Sequence, residues 1–277
     1  MIALLIGLGN LLIGAAYSGL GLLSLWEAIS QYRWRGLSRF GPGFSLMAAS
    51  CGPHHLVHGW HVLREGGVSM PMLEVTLIGL PAGIVFCWLR VEAMFGGRGD
   101  RTIVMPLRTL ALLATVFFVA VGWLANAALD APLSTDQAMC TPKGIRYAAA
   151  GLFPLTGFVS AGMFSNVFVT VTYSLVGWYL FETQVRRYAA GQQWSLSGLA
   201  LTAVFPTCAA MHLIHALSFG SHDAMLPFDL LGVFASIYFL WVVRCVYQDA
   251  VVDWNRRPQA GVAGVPERAS PWSAKDP

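Results

Sequence analysis

Seven apolar runs of about twenty residues alternate along this chain with short polar connections, at roughly 3–26, 43–63, 72–95, 103–126, 157–181, 197–219 and 226–248. About twenty apolar residues is the length at which a helix crosses the hydrocarbon core of a bilayer. The pattern predicts an all-α polytopic membrane protein with seven transmembrane helices, whose first partner is the lipid bilayer. Composition points the same way, with 56% hydrophobic residues, 11% charged residues and a mean hydropathy of +0.60. Those values exclude an ordinary soluble domain. No Lys or Arg precedes the first run, and no small-residue cleavage site follows it, so it reads as a retained helix and not a signal peptide.

Basic residues are unevenly shared between the two sets of connections. Arg33, Arg35 and Arg39 follow helix 1, Arg98, Arg101 and Arg108 lie between helices 3 and 4, Arg186 and Arg187 follow helix 5, and Arg256 and Arg257 follow helix 7. The alternate connections carry only Arg64, and then Lys143 with Arg146. The positive-inside rule therefore predicts an integral cell-membrane protein with its N-terminus outside and its C-terminus in the cytoplasm. On this reading the net charge of +3 is a topology signal and implies no nucleic-acid partner. Of five cysteines, only Cys140 falls in an outer connection, so a structural disulfide is not expected.

Set against itself at an offset of about 155 residues, the chain repeats. Asn10 and Tyr17 recur as Asn166 and Tyr173, and Cys51, His55 and His58 recur as Cys208, His212 and His215. Pro71 and Glu74 are answered by Pro227 and Asp229, and Trp88 and Arg90 by Trp241 and Arg244. The expected organisation is a three-helix repeat in 1–95, linking helix 4 with an outer loop in 96–156, and a second repeat in 157–250. A disordered cytoplasmic tail occupies 251–277. Helix 4 keeps both units in one orientation, which makes the repeat parallel, about an axis along the membrane normal.

All seven histidines lie in two windows, Cys51-Gly52-Pro53-His54-His55-Leu56-Val57-His58-Gly59-Trp60-His61 and Cys208-Ala209-Ala210-Met211-His212-Leu213-Ile214-His215, followed by His222. At 100° per residue, the Cys and His of the first window fall within an arc of roughly 120°, and Met211 takes the place of His54 in the second. One intramembrane histidine is ordinarily a helix-contact residue. Several at matched positions point to function, because ionisable groups are costly at that depth. Cys51, His54, His55, His58, Cys208, Met211, His212 and His215 are therefore the candidate metal ligands. Glu74 and Asp229 are candidate ligands or supports that fix imidazole tautomers. Soft Cys, His and Met donors suit Cu(I), with zinc as runner-up and a non-covalent haem as a further alternative. His61 and His222 sit near the outer boundary, where a packing role is the simpler reading. Retinal is excluded, because the only lysines are Lys143 and Lys275, neither of them in helix 7.

The first unit also resembles a known module. Asn10 and Tyr17 in helix 1, the connection Tyr32-Arg33-Trp34, and Cys51-Gly52-Pro53-His54-His55-Leu56 are similar to the membrane sensor domain of ethylene receptors, and the second unit resembles it more weakly. The resemblance implies Cu(I) bound by Cys51, His55, Cys208 and His212, with the family's dimer built into one chain. Asn10, Asn166, Tyr17 and Tyr173 then stand around the metal. Copper-associated MHYT sensor domains are a looser parallel. Where the ethylene-receptor domain has an acidic residue in helix 1, this chain has asparagine, and no histidine kinase follows. A receptor role therefore implies a separate signalling or metal-delivery protein. The expected function is copper sensing, handling or transport, or perception of a small ligand. The alternative is a membrane-embedded metallo- or haem-dependent oxidoreductase acting on an apolar substrate.

Overall fold

A computed structural model describes residues 1–35, 40–66, 69–94, 101–130, 161–218 and 225–256. The described chain is built of seven helices: α1 (Ile2–Arg35), α2 (Phe40–Glu65), α3 (Met70–Met94), α4 (Leu107–Asp130), α5 (Ala161–Ala189), α6 (Leu196–Ser218) and α7 (Leu226–Arg256). Six of these are long and apolar enough to cross a membrane. The exception is α2, whose four histidines, its glycines and prolines, and the closing Arg64 and Glu65 lower its hydropathy. At 26 residues it has the length to span, and it packs along α1 and α7. The tail expected to be disordered from 251 begins as helix, since α7 continues to Arg256; its remainder, the outer loop with Cys140, and His222 lie outside the described residues.

Several helices outrun their apolar stretches. α1 continues to Arg35, about two turns beyond its expected end, because leaving the hydrocarbon does not stop a helix. Glu27, on that extension, pairs with Arg90 near the end of α3. α4 starts at Leu107, several residues later than its run begins. Thr102–Ile103 in the segment before it form β1, which pairs antiparallel with β2, Trp194–Ser195. This small ladder ties the α3–α4 connection to the α5–α6 connection. The Trp194 indole reinforces it, donating to the Met105 carbonyl at 2.6 Å and stacking on Tyr188.

Six helices close a ring in the order α1, α3, α6, α5, α7, α2, and α4 lies outside against α3 and α6. Exchanging α1 with α5, α2 with α6 and α3 with α7 leaves this neighbour pattern unchanged. In the ring order α2 and α6 stand opposite each other, and they meet through side chains. The core holds Ile13, Leu20, Phe44, Phe205, Ile214 and Phe239 together with both cysteines of the repeated motif. α4 offers bulky side chains such as Phe118, Val119 and Trp123 to the surroundings. Because α4 has no counterpart in the second unit, it is the main departure from the exchange pattern.

Seven-residue glycine spacing on α1 sets how closely α2 approaches. A methyl group on Gly59 would lie 2.7 Å from the Gly7 carbonyl oxygen, one on Gly14 2.9 Å from the Gly52 carbonyl oxygen, and one on Gly21 2.8 Å from the Ala48 Cβ. Without a hydrophobic driving force between lipid-embedded helices, close backbone packing of this kind supplies the attraction. Gly52 is the tightest point, since a methyl there would overlap Ser18 Oγ and stand 2.8 Å from the Ser18 amide nitrogen. Gly52→Ala is expected to cost about 1–3 kcal/mol by overpacking, whereas Gly19→Ala, with nothing within 4 Å of the new methyl, is expected to be neutral or better. Thermal unfolding of both variants in one detergent checks this, and equal melting temperatures would refute the seam.

Candidate metal centre

Three donors converge where α2 and α6 face each other: Cys51 Sγ, Cys208 Sγ and a nitrogen of His212 all lie within 4.8 Å of one another. The sulfurs stand 3.9 Å apart, and Cys51 Sγ is 4.0 Å from His212 Nε2. All three side chains are buried. Pro53 and Pro206 sit two residues from the cysteines and interrupt the backbone ladders of α2 and α6 at that level.

The hydrogen bonds around His212 decide which ring nitrogen is available. Asn166 Nδ2 donates to the Gly162 carbonyl and to Asp229 Oδ2, leaving Asn166 Oδ1 as an acceptor. His212 Nδ1 lies 2.6 Å from that oxygen and must therefore carry the proton. The Nε2 lone pair is then left for the two sulfurs. A partner on the other ring nitrogen is the usual device for orienting a metal-binding imidazole.

The same device recurs in the first unit. Asn10 Nδ2 donates to the Ile6 carbonyl and to Thr76 Oγ1, whose own proton goes to the Met72 carbonyl. Asn10 Oδ1 therefore accepts from His55 Nδ1 at 2.8 Å. His55 Nε2 is buried without a hydrogen-bond partner among the described residues. Tyr17 sets its ring edge-on to His55 at 6.0 Å, as Tyr173 does to His212 at 6.1 Å. The two tyrosines otherwise differ in their contacts. Tyr173 OH lies 3.0 Å from Cys51 Sγ, while Tyr17 rests near Gly83.

The other expected ligands take different places. His54 Nδ1 donates to Asp229 Oδ1 at 2.6 Å, so Asp229 joins the first unit's His54 to the second unit's Asn166. His54, His58 and His215 are buried and lie ring against ring beyond His212, outside the three-donor group. Met211 is buried, with its sulfur seated in the α3–α6 seam where Gly79 lacks a side chain. Glu74 stands apart from Asp229 in this arrangement. It is half-buried and makes no hydrogen bond or ion pair among the described residues, and Thr76 occupies the position that answers Asp229. Aligning the two units matched acid with acid, but the residue facing Asn10 lies half a turn further along α3. His61 pairs with Glu65 at the partly exposed end of α2, away from the cysteines.

The chain is thus a membrane-type helical protein with a buried Cys and His cluster that can hold a metal ion. Comparison with family models, curated proteins and solved structures finds no match for the chain. Asn166→Leu is expected to lower stability by on the order of 3 kcal/mol, because it removes the buried hydrogen bonds to both His212 and Asp229. Unfolding measurements against Asn10→Leu check this. A smaller loss for Asn166→Leu than for Asn10→Leu would contradict the hydrogen-bond chain through Asp229.

Proposed function

We propose that this protein binds Cu(I) inside the membrane through Cys51, Cys208 and His212, and that its task is to handle copper within the bilayer. The observation that carries this reading is the convergence of two cysteine sulfurs and one imidazole nitrogen, with the histidine's other nitrogen held by Asn166. With metal–sulfur bonds of about 2.3 Å and metal–nitrogen bonds of about 2.0 Å, three donors at 120° stand about 4.0 and about 3.7 Å apart. Two of the three separations, at 3.9 and 4.0 Å, need only small adjustment to match, and the third, from Cys208 Sγ to His212, is within 4.8 Å. Two soft sulfurs and one imidazole favour Cu(I) over harder ions, and zinc in a structural site usually takes four protein ligands. Haem is disfavoured by crowding, since the rings of His54, His55 and Tyr173 stand 4.7, 6.3 and 6.1 Å from that of His212. That spacing leaves no slot of porphyrin width on the donor side.

Bound copper would supply a Lewis-acidic, redox-capable centre shielded from water. The chain's own residues hold and orient it: Cys51 and Cys208 give the charge-bearing sulfurs, Tyr173 hydrogen-bonds with Cys51, and Asn166 fixes His212. The matched Asn–His and Tyr–His pairs in the two halves support an origin by duplication. In that reading the two units build one shared site, and the likeness to ethylene-receptor sensor domains is a likeness of this Cys–His module. Sensing through a separate partner protein is compatible with the same site.

Elemental analysis after loading under reducing conditions is expected to find about one copper per chain, colourless and without a Soret band. Cys51→Ser with Cys208→Ser is expected to abolish it, and unchanged copper in that double variant would refute the assignment. The proposed orientation, N-terminus outside, predicts that in a Cys140→Ser background a cysteine introduced at exposed Gln192 reacts with an impermeant maleimide only after the inner face is opened. Labelling of intact cells would reverse the topology.

A further inference from the structure

Beyond the two cysteines, the buried imidazoles form a continuous column. His212 and His54 have ring centres 4.7 Å apart, His54 and His215 5.3 Å, and His215 and His58 4.9 Å. The last two contacts are edge-on, at 80° and 81°. His61 follows His58 by three residues on the same face of α2, at the partly exposed end where it meets Glu65. From Cys51 to His61 is ten residues, about 15 Å along a helix. The column therefore spans the distance from the buried sulfurs to the rim of the bundle.

Packing alone gives no reason to line this path with imidazoles. Each buried histidine displaces an apolar side chain at a depth where ionisable groups are expensive. In the second unit, Met211 occupies the position of His54 and faces the α3–α6 seam, so the column is not a by-product of the repeat. His54 has its Nδ1–H tied to Asp229, which leaves the lone pair of the neutral ring on Nε2, where it can bind a metal. With imidazole–metal bonds of about 2.0 Å, two rings flanking one ion have centres about 5–6 Å apart. The spacings in the column lie at or just below that range.

We propose that His54, His215 and His58 form a second, all-imidazole binding path that carries Cu(I) between the rim near His61 and the buried Cys51–Cys208–His212 site. At each step one copper–nitrogen bond forms as another breaks. At the last step Cu–S bonds replace a Cu–N bond, the thiol protons pass to the imidazoles that the metal has left, and the metal keeps its oxidation state. A path built from imidazole alone binds Cu(I) less tightly than a site with two thiolates, so the ion can move along it and come to rest at the sulfurs. The proposal rests on the Cu(I) reading of the buried site and assigns that site a direction of access.

The test separates how much copper binds from how fast it moves. Full-length protein loaded with Cu(I) is mixed with a water-soluble Cu(I) chelator, and appearance of the coloured complex is followed in time. His58→Leu and His215→Leu are expected to keep wild-type copper content but release it at least about tenfold more slowly, the scale of losing one ligand-supporting group. His58→Gln serves as a second variant should the leucine form fail to fold, and Trp60→Phe, on the exposed side of α2, is expected to change nothing. Wild-type release rates in folded, copper-loaded variants overturn the path. Loss of copper from the His58 variant also overturns it, by making His58 a resident ligand. If the wild-type chain takes up no copper at all, the buried-site reading falls first and this one with it.

Discussion

In hydrocarbon no water is available to satisfy a polar side chain, so every amide and imidazole must find its partner within the protein. Asn10 and Asn166 answer that demand in the same way. Each spends its two N–H bonds on a backbone carbonyl one turn back and on a side chain from the third helix of its unit. One oxygen remains, and it takes the proton of a histidine. Ring orientation, tautomer and the direction of the free nitrogen all follow from this. An acidic residue at either position would have two acceptors and no donor, and could not bridge in this manner. The asparagines are thus the fixed points from which the rest of the centre is hung.

The two halves use this clamp with one asymmetry that matters. In the first unit the third-helix partner is Thr76, a neutral hydroxyl, and in the second it is Asp229, a carboxylate. Only the carboxylate has a spare oxygen able to reach across the bundle and take His54 as well. The second half therefore organises histidines from both.

Much of this could be read from residues in order. Run lengths marked all seven helices, and the repeated Cys-x3-His, with Asn and Tyr one helix earlier, marked the cluster and its supports. Helical periodicity says which residues share a face, but not how far each side chain reaches. Eight candidate ligands thus reduced to three close donors and a neighbouring column. Glu74 pairs with Asp229 in the aligned units because alignment rewards like chemistry, whereas Thr76 shares only position. Gly7, Gly14 and Gly21 were spaced regularly in plain view, yet within an apolar run small residues look like any others until a second helix lies against them. Two-residue strands such as Thr102–Ile103 are too short to have any period.

The link between His54 and Asp229 spans 175 residues of sequence, from the second helix to the start of the last. A chain made from its N-terminus inserts α1 and α2 early, and their glycine seam lets that pair lock together at once. His54 must then wait inside the membrane, without its carboxylate, until five more helices have been made. Completion of the centre is consequently tied to the end of synthesis. A nascent chain stalled before α7 would own both cysteines of the cluster and all seven histidines, yet lack the residue that joins its two halves.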